Sequence, residues 1–425
     1  VKTSTKRVVV GVVAAAVIAG AAGFLRLRSA HARLAARYDQ LLAEFSASAP
    51  ACPSRPEDGR AAAGYARAFE MLPASRLEYE LWNSGQTKAL AKAPPGVAPL
   101  FEVWAKLAAW QPGAPVTIPA DRFVSLEAAR VEALAASQLR GCVSPFAPTD
   151  SWAREGKPLY GLLALAQLDR VKAYELERGG DAAAAAELRL AAARTLTDLQ
   201  RDAPLLDAAG AGALLEAAIR DLHAQAATAP AAVRAGMLAG ALALDAEWPS
   251  FARTIEAELL LVMPTAVLPG VALARAPRGR DPGPISAESL WLWAAAPAFV
   301  DYGRALTRAA DAASLRASLA ERRALAERVQ GEYVLPLLAG DLESALPEAQ
   351  DRKSHALVRL LILRLAYAAD PAVLGRLTDP LTGEAFRRVA GGFASAATEP
   401  AFRDAVAAKH GINMDGLTAV DVGSR

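Results

Sequence analysis

The chain has 425 residues, enough to bury a sizeable core without metals or disulfides; its hydrophobic fraction of 53% with only 6% aromatics rests largely on alanine, the strongest helix former. The formal net charge of +2 conceals an asymmetry, because residues 1–37 hold seven basic and no acidic side chains, leaving 40 basic against 45 acidic residues beyond them. A mildly acidic body with dispersed arginine excludes nucleic acid as a partner on electrostatic grounds and concentrates basic charge where a membrane surface would lie.

Residues 1–7 form a short tail carrying Lys2, Lys6 and Arg7, expected to be cytoplasmic. Val8 to Leu25 follows as an apolar run without one polar side chain, flanked on both sides by Lys or Arg. As a helix it spans about 27 Å, close to the hydrocarbon core of about 30 Å. The run reads as an uncleaved transmembrane anchor that meets the lipid bilayer through residues 8–25. A cleaved signal peptide is the alternative, with Ala30-His31-Ala32 as its junction, but Arg26 and Arg28 stand between the run and that site. Charge flanks both ends, so orientation follows from size: a short cationic tail stays inside while a long domain translocates. The body is therefore expected on the outer side of the inner (cytoplasmic) membrane, facing the periplasm or the cell exterior. Ala15, Ala19 and Gly23 repeat every four residues and would let two anchors self-associate, although alanine-rich sequence gives that spacing in any case.

Residues 26–48 continue as a stalk helix, and the Pro-rich stretch 49–60 is a linker. Cys52 lies in that linker and Cys142 in a loop after a predicted helix end. An oxidising compartment would allow a disulfide between them; two unpaired thiols fit the sequence equally well.

A helical stack is expected over 61–263. Helices are predicted at 61–72 (stopped by Pro73), 97–110 (ended by Pro112-Gly113) and 123–140 (ended by Gly141). The clearest unit runs from Pro158 to about Ala229. Leu159, Leu162, Leu163 and Ala166 share one helical face, with Asp169, Arg170 and Lys172 turned elsewhere. Arg178-Gly179-Gly180-Asp181 supplies a glycine stop and then an Asp N-cap. Leu188, Ala191, Ala192, Leu196 and Leu199 mark the apolar side of the next helix, and Ala203-Pro204 opens a third. This is the grammar of tetratricopeptide-like stacks, without their regular spacing or consensus residues.

Residues 264–284 form a Pro/Gly-rich loop holding five prolines, followed at once by Trp291 and Trp293. A loop this long inside a compact domain is uncommon. Trp291, Trp293, Arg278 and Arg280 are the residues expected to meet a ligand or partner; the plainer reading is a mobile loop beside core tryptophans. The C-terminal region, 285–425, is expected to carry helices at 288–330 and 341–369. Asp379-Pro-Leu-Thr-Gly383 then reads as a tight turn, and Phe386–Val389 and Phe393–Ala396 around Gly391-Gly392 as one small β-hairpin near 386–396. The fold class is all-α: an N-terminal transmembrane helix and stalk, an irregular stack of antiparallel helices, and that hairpin.

Three stretches, Ala61 to Pro73, Leu162 to Leu222 and Asp379 to Phe386, together resemble a family of bacterial membrane-anchored proteins with an alanine- and leucine-rich helical body and no established activity. The likeness covers most of the chain through composition and order of segments, and it implies fold and placement only. The closing Asp-Pro-x-x-Gly turn is also similar to the turn near the C-terminus of secretion-system pseudopilins. Here the Gly-x-Tyr-Pro stretch that precedes it there is replaced by Asp370-Pro371-Ala-Val-Leu-Gly375, and Gly23-Phe24 lacks a glutamate at the fifth following position.

No motif for a metal, nucleotide or acyl-transfer site is present, so no cofactor and no catalytic residue is assigned. The four histidines, His31, His223, His355 and His410, are far apart in sequence. Ser84 to Lys88 lacks the glycines of a phosphate loop. Asp221 with His223, and Glu256 with Glu258, stand two residues apart and cannot share a helical face. The leading expectation is an envelope scaffold with a protein partner. An envelope hydrolase acting on cell-wall or lipid material, or a ligand-binding sensor using 264–293, is the alternative. An exposed apolar groove would favour the first, a closed pocket with buried acids the second, and a deep apolar cavity near Trp291 the third.

Overall fold

A computed structural model describes residues 18–26, 60–72, 110–114, 120–138, 159–262 (except 202 and 204), 301–329, 345–407 and 413–420, with Leu107 and scattered helical residues between 29 and 47. The described residues are mostly helical, with one small antiparallel sheet. The longer helices are α1 (Arg60–Glu70), α2 (Ala120–Gln138), α3 (Leu159–Arg178), α4 (Ala182–Gln200), α5 (Leu205–Ala226), α6 (Ala231–Ala246), α7 (Phe251–Val262), α8 (Leu315–Val329) and α9 (Ala345–Ala366). Residues 301–310 are helical as well.

The predicted grammar of α3 and α4 is realised atom by atom. Gly180 takes φ +91°, which frees the Asp181 amide to bond the Leu176 carbonyl at 3.0 Å. The Asp181 carboxylate then accepts from the Ala184 amide at 3.0 Å, capping α4. The first amide of α5 is capped from a distance: Leu205 N donates to Glu258 Oε2 on α7 at 2.9 Å.

Packing departs from a string of neighbours. α4 lies against α2, α3, α5 and α6, while α9 returns from far along the chain to cover α5 and α6. A single apolar cluster accordingly runs from Tyr65 to Leu417. α3 is enclosed so thoroughly that every residue from Leu162 to Val171 is buried. Asp169 and Arg170, expected off the Leu159–Ala166 face, are therefore enclosed along with it. Both are buried in ion pairs, Asp169 with Arg130 at 2.6 Å and Arg170 with Asp221 at 2.7 Å. Charge this deep is tolerated only because each guanidinium meets a carboxylate.

Two further expectations change. The helix predicted over 288–330 is interrupted at 311–314, where α8 restarts under the closing turn: Leu315 N donates to Leu381 O at 2.9 Å. The expected hairpin is present as β1 (Arg387–Val389) and β2 (Gly392–Ala394), but β3 (Thr418–Val420) joins β2 to make three strands. β2 is the buried central strand, and its Phe393 packs edge-on against Tyr367 with ring centres 4.9 Å apart. A third strand gives this sheet a covered centre that an isolated hairpin lacks.

The turn at Asp379 is built as expected and reaches further. Gly383, at φ +74°, donates to Asp379 O at 2.8 Å. The buried Asp379 carboxylate accepts from Leu381 N at 2.9 Å, Thr382 Oγ at 3.1 Å and Ser395 Oγ, so one side chain fastens the turn to the sheet.

At the N-terminal end, residues 18–26 are helical and exposed, and residues 8–17 of the expected anchor lie outside the described ones. Among the described residues no helix is long and apolar enough to cross a membrane. The helical residues 39–45 are seated on the body: Phe45 is buried, Arg253 stands 4.0 Å from its ring centre, and Arg304 pairs with Glu44 at 2.5 Å.

Candidate functional site: a groove between α2, α3 and α4

Trp291, Trp293, Arg278 and Arg280, the loop 264–284, both cysteines (Cys52 and Cys142) and Ser84 to Lys88 lie outside the described residues. His31 and His410 lie outside them too, and Asp221, His223, Glu256 and Glu258 are placed. Asp221 and His223 diverge as their spacing dictates: Asp221 accepts from Arg170, and His223 Nε2 bonds Leu357 O at 2.9 Å. Burial holds the His223 imidazole down at about 4, so it is neutral and donates its Nε2 proton to that carbonyl. Glu258 caps α5 through the Leu205 amide. Burial, helped by the Glu258 charge, pushes the neighbouring Asp207 carboxyl up to about 7. Glu256 borders a small pocket with Phe45 and Arg304.

Sequence reasoning missed a polar crossing between α6 and α9. Asp245 accepts from His355 Nε2 at 2.7 Å and from Arg359 Nε at 2.6 Å, and Trp248 stacks on the His355 ring at 4.6 Å. Trp248 Nε1 donates to Asp351 Oδ1 at 3.1 Å. Burial raises Asp351 to about 7 and lowers His355. Burial also works to raise Asp245, but the bonds and charges of His355 and Arg359 outweigh it and hold that carboxyl below its usual range. The adjoining cavity, which Asp351 and Gln200 border, has a volume of about 10 Å³, room for one water and no substrate. The crossing joins helices; it offers no space for chemistry. Among the described residues no group of three or more His, Cys, Asp or Glu could hold a metal ion.

A large concavity lies elsewhere, where the C-terminal halves of α2 and α3 meet the start of α4. It is an open groove of about 600 Å³, within the range of ligand and peptide sites. Leu134 from α2, Leu176 from α3, and Ala184 and Leu188 from α4 form its apolar floor. The floor exists because α4 begins with a run of alanines: at Ala184 and Ala185 there is too little side chain to fill the space between the helices. Leu134, Leu176 and Leu188 gather there around Ala173 and Ala185 as a small apolar cluster separate from the main core.

One end of the groove is electrostatically closed. Glu127 is bound by Arg130 at 2.8 Å and by Lys172 at 2.5 Å, while Arg130 also holds Asp169. The Arg130 hydrogen bond, working against burial, brings Glu127 down to about 2 and raises Arg130 in turn. Burial raises Asp169 to about 7 against the pull of Arg130. The other border carries Glu175 and Glu187, both exposed. The leucines were visible in the sequence, but only the meeting of three helices turns them into a floor. No protein-family model matches the chain, and neither a curated protein nor a solved structure is significantly similar to it.

Proposed function

We propose that this protein is a membrane-anchored envelope scaffold whose helical body captures a protein partner in the groove between α2, α3 and α4. The observation that carries the reading is the open apolar floor of Leu134, Leu176 and Leu188, left outside the main core and bordered by charge. Helices that leave such a groove suit an extended peptide or a partner helix. The acids favour the same reading over a hydrolase, because the buried Asp169 and Asp379 and the half-buried Asp245 and Asp351 each take part in a structural hydrogen bond.

In this proposal residues 8–25 form the transmembrane helix and 26–48 the stalk, with the body on the outer side of the inner membrane. The helical stack, tetratricopeptide-like without strict repeats, is then the presenting surface. Seating of Phe45 and Glu44 on α7 and the 301–310 helix would hold the groove at a fixed attitude to the bilayer.

Crosslinking in native membranes followed by mass spectrometry tests the scaffold. Wild-type protein is expected to yield a reproducible partner, and the Leu134→Asp, Leu176→Asp double variant to lose it at unchanged protein level. Both leucines are only partly buried, so the variant tests the floor more than the fold. Equal recovery from both proteins would sink the proposal. Release of the protein from membranes by alkaline carbonate would remove the anchor from it.

A further inference from the structure

Several carboxylates along these helices have a cation beside them. Glu132 pairs with Arg67 at 2.6 Å, Glu177 with Arg189 at 2.5 Å, and Glu216 with both Arg220 at 2.6 Å and Lys353 at 3.0 Å. Glu175 and Glu187 are exposed and not ion-paired among the described residues, as Glu70 and Glu321 are too, but these two border the groove. The cations that share the groove, Arg130 and Lys172, are already matched by Glu127 and Asp169. What remains is an apolar floor with uncompensated negative charge along its edge.

From this we infer that the groove takes a cationic amphipathic helix of a partner protein. The inference rests on the groove being the partner-binding face. The partner's apolar ridge, at i, i+3, i+4 and i+7, sits on Leu134, Leu176 and Leu188, and flanking lysines or arginines meet Glu175 and Glu187. The charge decides among partners more than it adds affinity. A helix with acidic flanks would bring like charges together over a partly desolvated floor, which is the costly arrangement.

The test uses the full chain in nanodiscs of zwitterionic lipid, so that cationic probes have no anionic bilayer to bind. Three fluorescent helical peptides share one leucine ridge and carry lysine, glutamine or glutamate flanks. Fluorescence anisotropy is expected to rank lysine over glutamine over glutamate, with about a tenfold step between lysine and glutamine that shrinks at high salt. The Glu175→Lys, Glu187→Lys double variant is expected to reverse the order. Both positions are exposed, so folding is unaffected. Equal binding of the three peptides, or an order that the double variant leaves alone, overturns the inference. The Leu134→Asp, Leu176→Asp variant separates the two failures. If it abolishes binding while flank charge is irrelevant, the groove stands and the cationic partner falls. If it leaves binding intact, the groove falls with it.

Discussion

Two regions of the molecule are rich in charge, and they use it in opposite ways. Under the closing turn, Glu348 is fully buried and accepts from Ser318 Oγ at 2.9 Å, from Arg352 Nε at 2.8 Å and from Arg322. Arg352 then donates to the carbonyls of Pro380 at 2.9 Å, Ala310 at 2.9 Å and Ala312 at 2.8 Å. One carboxylate thereby fixes α8, α9, the 311–314 break and the Asp379 turn together. At the groove, by contrast, Glu175 and Glu187 face outward over leucines and are not committed to any such network. A charged residue points to function when the fold leaves it uncommitted, and to architecture when every atom is engaged.

That contrast is broken most severely by removing Glu348. Glu348→Ala leaves Arg322 and Arg352 buried without their carboxylate, and a loss of about 3–5 kcal/mol is expected in chemical denaturation of the full chain. A loss below about 1 kcal/mol would mean that the junction is ornamental. Next in size is Gly383→Ala, which forces a side chain into φ +74° and brings its Cβ to 3.0 Å from Ala313 O. About 1–3 kcal/mol should be lost, read as a lowered denaturation midpoint.

How much of this was legible in sequence depends on range. The Asp181 cap, the Gly180 stop and the Asp379–Gly383 turn were, because each is decided within a few residues by backbone sterics and one side chain. The ion pairs were not: Arg130 with Asp169 and His355 with Asp245 are separated by 39 and 110 positions. An amphipathic stripe fails as a guide for α3, whose residues 162–171 are buried on all sides, so a charged residue there resembles a solvated one in sequence. The groove was illegible for the same reason. Leu134 on α2 and Leu188 on α4 look like core leucines until the alanines of α4 leave room between them.

Protonation sharpens the comparison at an intermediate scale. Asp351 titrates near 7 in the folded chain against 3.8 for the ordinary aspartate value, so its protonated form stabilises the fold fully below about 4. That contribution is lost as pH rises through about 7. Asp351→Asn cannot ionise and should therefore gain on wild type by on the order of 1–3 kcal/mol between pH 5 and pH 8. His355, with its value lowered by burial, works in the opposite sense and loses its contribution as pH falls below the ordinary histidine range. A wild-type-to-variant gap in urea midpoint that is flat with pH would refute the role of Asp351. The smallest effect belongs to the groove. Glu175→Lys or Glu187→Lys should change stability by no more than about 0.5 kcal/mol, since an exposed carboxylate without a partner holds nothing together.

The central claim is that the groove, and no other face, receives the partner. Site-specific photocrosslinking in native membranes tests it directly, with the photoreactive residue placed at Glu187 in one protein and at Leu242 in another. Leu242 is 47% exposed on α6 and does not border the groove. A reproducible adduct to one protein from position 187, absent from position 242 and lost in the Leu134→Asp, Leu176→Asp background, is the expected result. Adducts of equal yield from both positions, or none from position 187, would contradict the account.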